Sequence, residues 1–361
     1  MKILYIGNYR DGTGWGDAGL NNILALHSAG VDVVPRAITF EAADKDYPEE
    51  IKTLEKKSTD GCDVCIQHTL PHLYSYDSRY KNIGYLAVET SNFTDTGWQH
   101  YANLMDEIWV PSEAAESACI SSGVTKPIKI APHSLDMTKY KAVNGGNQIK
   151  EMQSTFNFVF IGEFVERKNL KALIQAFHME FDTHEPVNLF IKTSKTSIEN
   201  IQRYAKEIKN GLKIRTKYKE EIIVAGRLED VDYISVLGQC HCFVMPSRGE
   251  AFCIPALEAM ALNIPVIHTA NTGMDDFCIG EAVPSSPTPC LGAMSTLSNL
   301  DTAKSDWREI NIRELCAAMR RAYQNWHSDT GKIQKGQVKA VAETYDHKSI
   351  GHEMKELLND S

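Results

Sequence analysis

No run of about 18 apolar residues, the length a membrane-spanning helix needs, occurs in the 361-residue sequence. The start, MKILYIGNYRDG, breaks its apolar run after Ile6. That is short of the roughly 7–15 residues of a secretory core, so the expectation is a cytoplasmic protein. Basic residues are not in excess: the net charge is −9, and nucleic acid is not an expected partner. Lys and Arg do crowd residues 201–219. A solvated helix face is the first reading there, with peripheral membrane contact as the alternative. Paired cysteine motifs are nearly missing. Cys62 and Cys65 form one CxxC without a well-spaced second pair, so free buried thiols are expected rather than disulfides or zinc. No Walker loop, HExxH or GxSxG occurs, which removes three common catalytic classes. Low-complexity tracts and short repeats are missing as well.

What is present is rhythm. Strand-like runs (KILYIGN, VDVVPRAI, CDVCIQH, NIGYLAVE, DEIWVPS, PIKIAPH) alternate with helical patterns up to about residue 138. A polar, glycine-bearing stretch, NGGNQIKEMQST, interrupts the alternation and reads as a linker. The rhythm restarts with FNFVFIGE and runs to PVIHT. Two doubly wound α/β units follow from this pattern: residues 1–138 and 139–339. A terminal helix, about 340–361, is expected to pack back on the first unit. Ligands of open parallel sheets bind beyond the carboxyl ends of the strands.

Three stretches sit at such ends. In PSRGEAFCIPALEAMALNIPVI, Glu250 and Glu258 flank a helix start with Pro255 in its first turn. The amides near Phe252, Cys253 and Ile254 form an anion site there, and carboxylates suit sugar and ribose hydroxyls. In GEFVERKNLKALIQAF, Arg167 and Lys168 stand at a helix mouth, where cations are unfavourable unless an anion faces them. In NYRDGTGWGDAGL, Gly12, Gly14 and Gly16 let backbone approach a ligand. Each stretch has a plainer reading: dipole-favoured glutamates, solvated surface cations, a simple strand–turn–helix. Asp230 and Asp232 read as acids at a helix start rather than as metal ligands.

Taken in order, these stretches resemble retaining glycosyltransferases of family 4, with the GT-B fold. GEFVERKNLKALIQAF is similar to the family's donor-phosphate lysine segment. IIVAGRLEDVDYISVLGQCHCFVMPS is similar to its nucleotide-binding segment, and EAFCIPALEAMALNIPVI to its E-x7-E segment. DEIWVPSEAAESACISSGVTKPIKIAPHSLD looks like the run into its interdomain linker. The resemblance implies two Rossmann-like domains facing across a cleft, a nucleotide-sugar donor and a hydroxyl acceptor. It implies no metal or other cofactor. Glu250 would hold donor-sugar hydroxyls, Glu258 the ribose and Lys168 the diphosphate, with Gly14, Trp15 and Gly16 beneath it. Gly226, Arg227 and Leu228 would meet the base. Glu163 replaces a frequent family arginine, with Arg167 as substitute. Glu89 stands where the family often has a histidine and is expected to face the acceptor; His68, which ends an earlier strand, is the nearest substitute candidate. Two other readings stay open: a silent GT-B subunit that stabilises a partner, and an epimerase-like GT-B enzyme.

Overall fold

The computed structural model of the protein describes residues 1–39, 47–140, 148–291, 302–326 and 328–360. Its first half runs β1 (Lys2–Gly7), α1 (Gly14–Ser28), β2 (Asp32–Ala37), α2 (Glu49–Leu54), β3 (Val64–His68), β4 (Lys81–Tyr85), α3 (Trp98–Ala102), β5 (Glu107–Val110), α4 (Glu113–Ser121) and β6 (Ile128–Ile130). The second half runs β7 (Phe156–Ile161), α5 (Leu170–Glu180), β8 (Val187–Thr193), α6 (Ile198–Leu212), β9 (Ile222–Ala225), α7 (Asp230–Leu237), β10 (Cys242–Met245), α8 (Ile254–Ala261), β11 (Val266–Thr269) and β12 (Gly280–Val283). A hairpin of β13 (Ser285–Pro289) and β14 (Asp306–Ile310) follows, then α9 (Ile312–Asn325), α10 (Asp329–Thr344) and α11 (His347–Asn359).

The chain divides into two compact units. The first holds the described residues of 1–137, 302–305 and 344–360; the second holds those of 138–291 and 306–343. Among the described residues each unit contains a six-stranded parallel sheet. The first sheet is ordered β2-β1-β3-β4-β5-β6 and the second β12-β11-β10-β7-β8-β9. Parallel strands are covered on both faces and are therefore apolar throughout. β7 shows this, with all of Phe156–Ile161 buried. In each sheet the strand order reverses once beside the first strand: between β1 and β3, and between β7 and β10.

Several boundaries differ from the sequence expectation. The apolar run NIGYLAVE is strand only to Tyr85, because the chain leaves the ladder after its pairing with β5. The helical pattern at the end divides at Tyr345–Asp346. There Asp346 caps α11 by accepting from the Ser349 amide at 2.6 Å. β12, the hairpin and α9 lie beyond the rhythm read from the sequence.

α11 packs on α1 within the first unit. Ile350, Met354 and Leu358 join Ile23 and Leu26 in its core. Lys355 donates to the Ala29 carbonyl at 3.0 Å and the Ser28 hydroxyl to the His347 carbonyl at 2.9 Å. Gly351 allows the close crossing: a Cβ there would lie 2.0 Å from the Ala25 carbonyl oxygen. That contact is with backbone, which cannot step aside. Gly351→Ala should therefore lower unfolding stability by about 1–3 kcal/mol, the scale of an overpacked core. Urea denaturation followed by far-UV circular dichroism measures it; an unchanged midpoint would contradict this packing.

Candidate functional site

Strand-order reversals are where open parallel sheets bind ligands. In the second unit the chain leaving β7 passes Gly162 and forms a 3-10 turn, Glu166–Lys168. Asn169 then caps α5 from the left-handed region, with φ 51°, a conformation asparagine tolerates. The chain leaving β10 reaches Glu250. The two loops meet there. Lys168 Nζ is 2.6 Å and Arg167 Nη1 3.2 Å from the same Glu250 Oε1. Arg167 also donates to the Gly249 carbonyl at 2.5 Å. Only 4% of the Glu250 side chain is exposed. Burial pushes the Glu250 carboxyl up, but the charges of Lys168 and Arg167 and hydrogen bonds from Lys168 and Ser247 outweigh it, holding the group below its ordinary value. The anion facing the two cations is thus a carboxylate of the chain itself.

The surroundings fix this cluster. The Arg248 amide and the Ser247 hydroxyl donate to the Arg167 carbonyl at 2.7 and 3.1 Å. The Arg248 guanidinium bridges Glu166 and Glu309, each at 2.5 Å. Cys253 precedes α8 with φ 86° and ψ 73°, a region costly for any residue with a side chain. Burial, then the nearby Glu250 charge, push its thiol up to about 12, so it is no thiolate nucleophile. Phe252 is buried and stacks on Phe277 at 4.5 Å. Cys253 and Ile254 stand at the amino end of α8, where helices leave amides without intrahelical partners.

Glu258 lies one turn into α8 and has different neighbours. Tyr140 donates to its Oε1 at 2.9 Å and Tyr233 to its Oε2 at 2.5 Å. Lys192, at the end of β8, feels Glu258 and Arg227; burial is the largest influence and lowers its ammonium pKa. Gly226, with φ 88°, turns the chain after β9 and leaves Arg227 exposed and Leu228 half-buried. Tyr140, Tyr233 and Lys192 were not found from sequence. Lys192 left one trace, a charged residue inside the apolar run VNLFIKTS.

In the first unit, Gly14, Trp15 and Gly16 open α1 at the β1–β3 reversal. Thr13 caps the helix by accepting from the Gly16 amide at 3.1 Å. A Cβ on Gly16 would lie 3.1 Å from the Asn8 carbonyl oxygen, a tight fit against backbone, whereas Gly14 has open space. The Trp15 ring lies 5.4 Å from that of His68. His68 ends β3 and is buried against Tyr5, whose hydroxyl is 2.7 Å from Nδ1. Burial and the nearby His133 hold His68 far below its ordinary value, and burial brings His133 down to about 3. Both rings are neutral at physiological pH. Glu89 is half-buried in the loop after β4 rather than at a strand end. Its neighbour Thr90 turns to the Asn92 carbonyl at 2.8 Å. Arg79 pairs with Asp77 and Lys81 with Glu107.

Cys62 and Cys65 pack with Leu4 and Val34. Of the basic residues in 201–219, Lys209 pairs with Glu221 at 3.1 Å, Arg215 pairs with Asp182 at 3.1 Å and Lys219 donates to the Val187 carbonyl at 2.8 Å. Among the described residues, no helix is long and apolar enough to cross a membrane. No group of three or more His, Cys, Asp or Glu is placed there to hold a metal.

Residues 147–281, which carry Lys168, Glu250 and Glu258, match the family model "Glycosyl transferases group 1". The chain is similar to the serotype-specific mannosyltransferase WbdA of Escherichia coli, 26% identical over 162 residues, 44% of this chain and 19% of that protein. It thus spans about a fifth of that relative's length. It is also similar to O-antigen chain mannosyltransferase B of Escherichia coli, 26% identical over 48% of this chain and 44% of that protein. Among solved structures it resembles Anabaena Alr3699/HepE in complex with UDP, with TM-score 0.67 and 15% identity over all of both chains. The fold is GT-B, with two doubly wound Rossmann-like domains. The family model and the relatives support a glycosyltransferase.

The buried cluster makes a stability prediction. Glu250→Gln leaves two cations facing each other, so unfolding free energy at pH 7 should fall by about 3 kcal/mol, the scale of breaking a buried pair. The folded carboxyl is depressed below its ordinary 4.5. Its contribution is therefore complete above that pH and disappears as pH falls through the lower folded value. Denaturation of both proteins along a pH series should show their difference shrinking in acid; a pH-independent difference would contradict the charge pairing.

Proposed function

We propose that the chain is a glycosyltransferase that moves a sugar from a nucleotide-sugar donor to an acceptor hydroxyl, with retention of anomeric configuration. The observation that carries the proposal is the meeting of Lys168, Arg167 and Glu250 at the strand-order reversal. The two cations exceed the carboxylate by one positive charge, which suits a diphosphate. An ammonium has three N–H donors, and the pair with Glu250 uses one.

In this reading Glu250 holds hydroxyls of the donor sugar. Lys168, Arg167 and the start of α8 at Phe252, Cys253 and Ile254 hold the diphosphate. Glu258 takes the ribose, and Gly226, Arg227 and Leu228 the base. The bond from the anomeric carbon to the diphosphate oxygen breaks, and its electron pair stays on the leaving phosphate. That phosphate takes the acceptor's proton while the acceptor oxygen bonds to the anomeric carbon on the same face. The route needs neither a protein nucleophile nor a metal. Each donor aimed at the developing charge contributes roughly 3–4 kcal/mol. Glu89 is the proposed acceptor-side carboxylate.

The names of the relatives make mannose the first donor sugar to try, and the UDP seen in HepE makes uracil one of the bases to try. The test is release of nucleoside diphosphate from a panel of nucleotide sugars by the full chain, with NMR of the product anomer. Lys168→Ala should lower turnover roughly 10²–10³-fold, as for the loss of one charge-stabilising donor. Normal turnover in that variant, or an inverted product, would overturn the mechanism. Glu89→Gln should impair transfer while leaving donor binding nearly unchanged; untouched transfer would remove Glu89 from the acceptor site.

A further inference from the structure

Two phenols take one oxygen each of Glu258: Tyr233 at 2.5 Å and Tyr140 at 2.9 Å. Their supports differ. Tyr233 belongs to α7, whose adjoining residues Ile234, Ser235, Val236 and Leu237 are buried. Burial, and then the Glu258 charge, keep its hydroxyl far above the ordinary tyrosine range and therefore a permanent donor. Tyr140 ends a 3-10 turn, Met137–Tyr140. That turn is also joined to α7 by the pair Lys139–Asp230 at 3.1 Å, with both side chains more than half exposed. An exposed pair of this kind is a weak tether.

A carboxylate offers about four lone-pair sites, and each Glu258 oxygen accepts one phenol. A vicinal diol binds best when the carboxylate plane is already fixed and both oxygens can be reached. Tyr233 supplies the first condition; Tyr140 works against the second. When a diol hydroxyl replaces the Tyr140 hydroxyl at Oε1, one O–H donor is exchanged for another and the charge stays solvated by hydrogen bonds.

We propose that Tyr233 is a positioning residue for Glu258 and that Tyr140 competes with the ligand's ribose diol for the same carboxylate, so the two phenols act on nucleotide binding with opposite sign. The inference rests on the nucleotide-sugar reading above.

The experiment is calorimetric titration of the full chain with UDP, GDP, ADP, CDP and their 2′-deoxy counterparts, and with dTDP. The proteins are wild type, Tyr233→Phe, Tyr140→Phe and Glu258→Gln. Tyr233→Phe should weaken ribonucleotide binding about tenfold, as for loss of one hydrogen bond to a charged group, and should shrink the ribo-to-deoxy preference. Tyr140→Phe should tighten ribonucleotide binding about three- to tenfold by removing the competitor and keep the preference. Glu258→Gln should abolish the preference. A Tyr140→Phe variant that binds equally or more weakly overturns the competition. A folded Tyr233→Phe variant with unchanged affinity and preference overturns the positioning role. If Tyr233→Phe does not fold, the sign of the Tyr140→Phe effect decides alone. A wild type that binds none of these nucleotides sinks the nucleotide-sugar reading and this inference together. Binding that depends on Glu258 but not on either phenol sinks this inference only.

Discussion

A carboxylate buried between two cations organises the second domain's candidate site. Taken from water alone, Glu250 would be costly and would tend to protonate. With Lys168 and Arg167 at 2.6 and 3.2 Å it stays charged, and all three side chains must then keep their positions together. The loop after β7 is thereby tied to the loop after β10, two segments some eighty positions apart in sequence. Arg248 repeats the tie from the other side, through Glu166 and Glu309. Such a cluster adds little net stability, since desolvation offsets much of the attraction. What it gives is a fixed arrangement in which Lys168 and Arg167 together outnumber the Glu250 carboxylate by one charge.

Topology decides where that arrangement forms. Both sheets reverse their strand order beside the first strand of the unit. In the second unit the reversal puts Lys168 and Glu250 on neighbouring strand ends. In the first unit it puts the Gly14–Gly16 helix start beside His68, which ends β3. The two ends differ in electrostatic character. One collects charged groups; the other collects aromatic rings and two histidines kept neutral by burial.

The βαβ alternation was legible in the sequence because both strand and helix patterns are strong where a parallel sheet is buried on both faces. FNFVFIGE and CDVCIQH are plain examples. The cations at the mouth of α5 were legible as an electrostatic anomaly, and the anomaly was real. The identity of the facing anion was not legible, because Glu250 comes from a distant loop. NIGYLAVE misled for the opposite reason. Its apolar character outlasts the strand: Leu86 and Val88 are buried in the core without belonging to the sheet. Tyr140 and Tyr233 were invisible because a tyrosine in a helix or turn carries no local sign of the carboxylate its hydroxyl will meet. Hydrogen bonds across long sequence separation leave no periodicity to read.

The spacing of Glu250 and Glu258 now has a physical account. The two carboxylates flank one helix start, yet they are held by unlike chemistry. Glu250 precedes the helix and is compensated by charge, so removing a cation leaves it stranded in a buried place. Glu258 stands on the helix and is held by phenolic O–H groups, with Lys192 near enough to feel its charge. Hydroxyl donors can be exchanged for a ligand's hydroxyls at small cost, because donor and acceptor types are conserved. An ammonium against a buried carboxylate has no such equivalent in a neutral ligand. Hydroxyl exchange therefore belongs at Glu258. At Glu250 the ion pair would stay in place, and a ligand would meet the lone-pair sites of the carboxylate and the N–H groups of Lys168 that the pair leaves over. One helix start thus offers a rigid charged corner and, one turn further in, an exchangeable one.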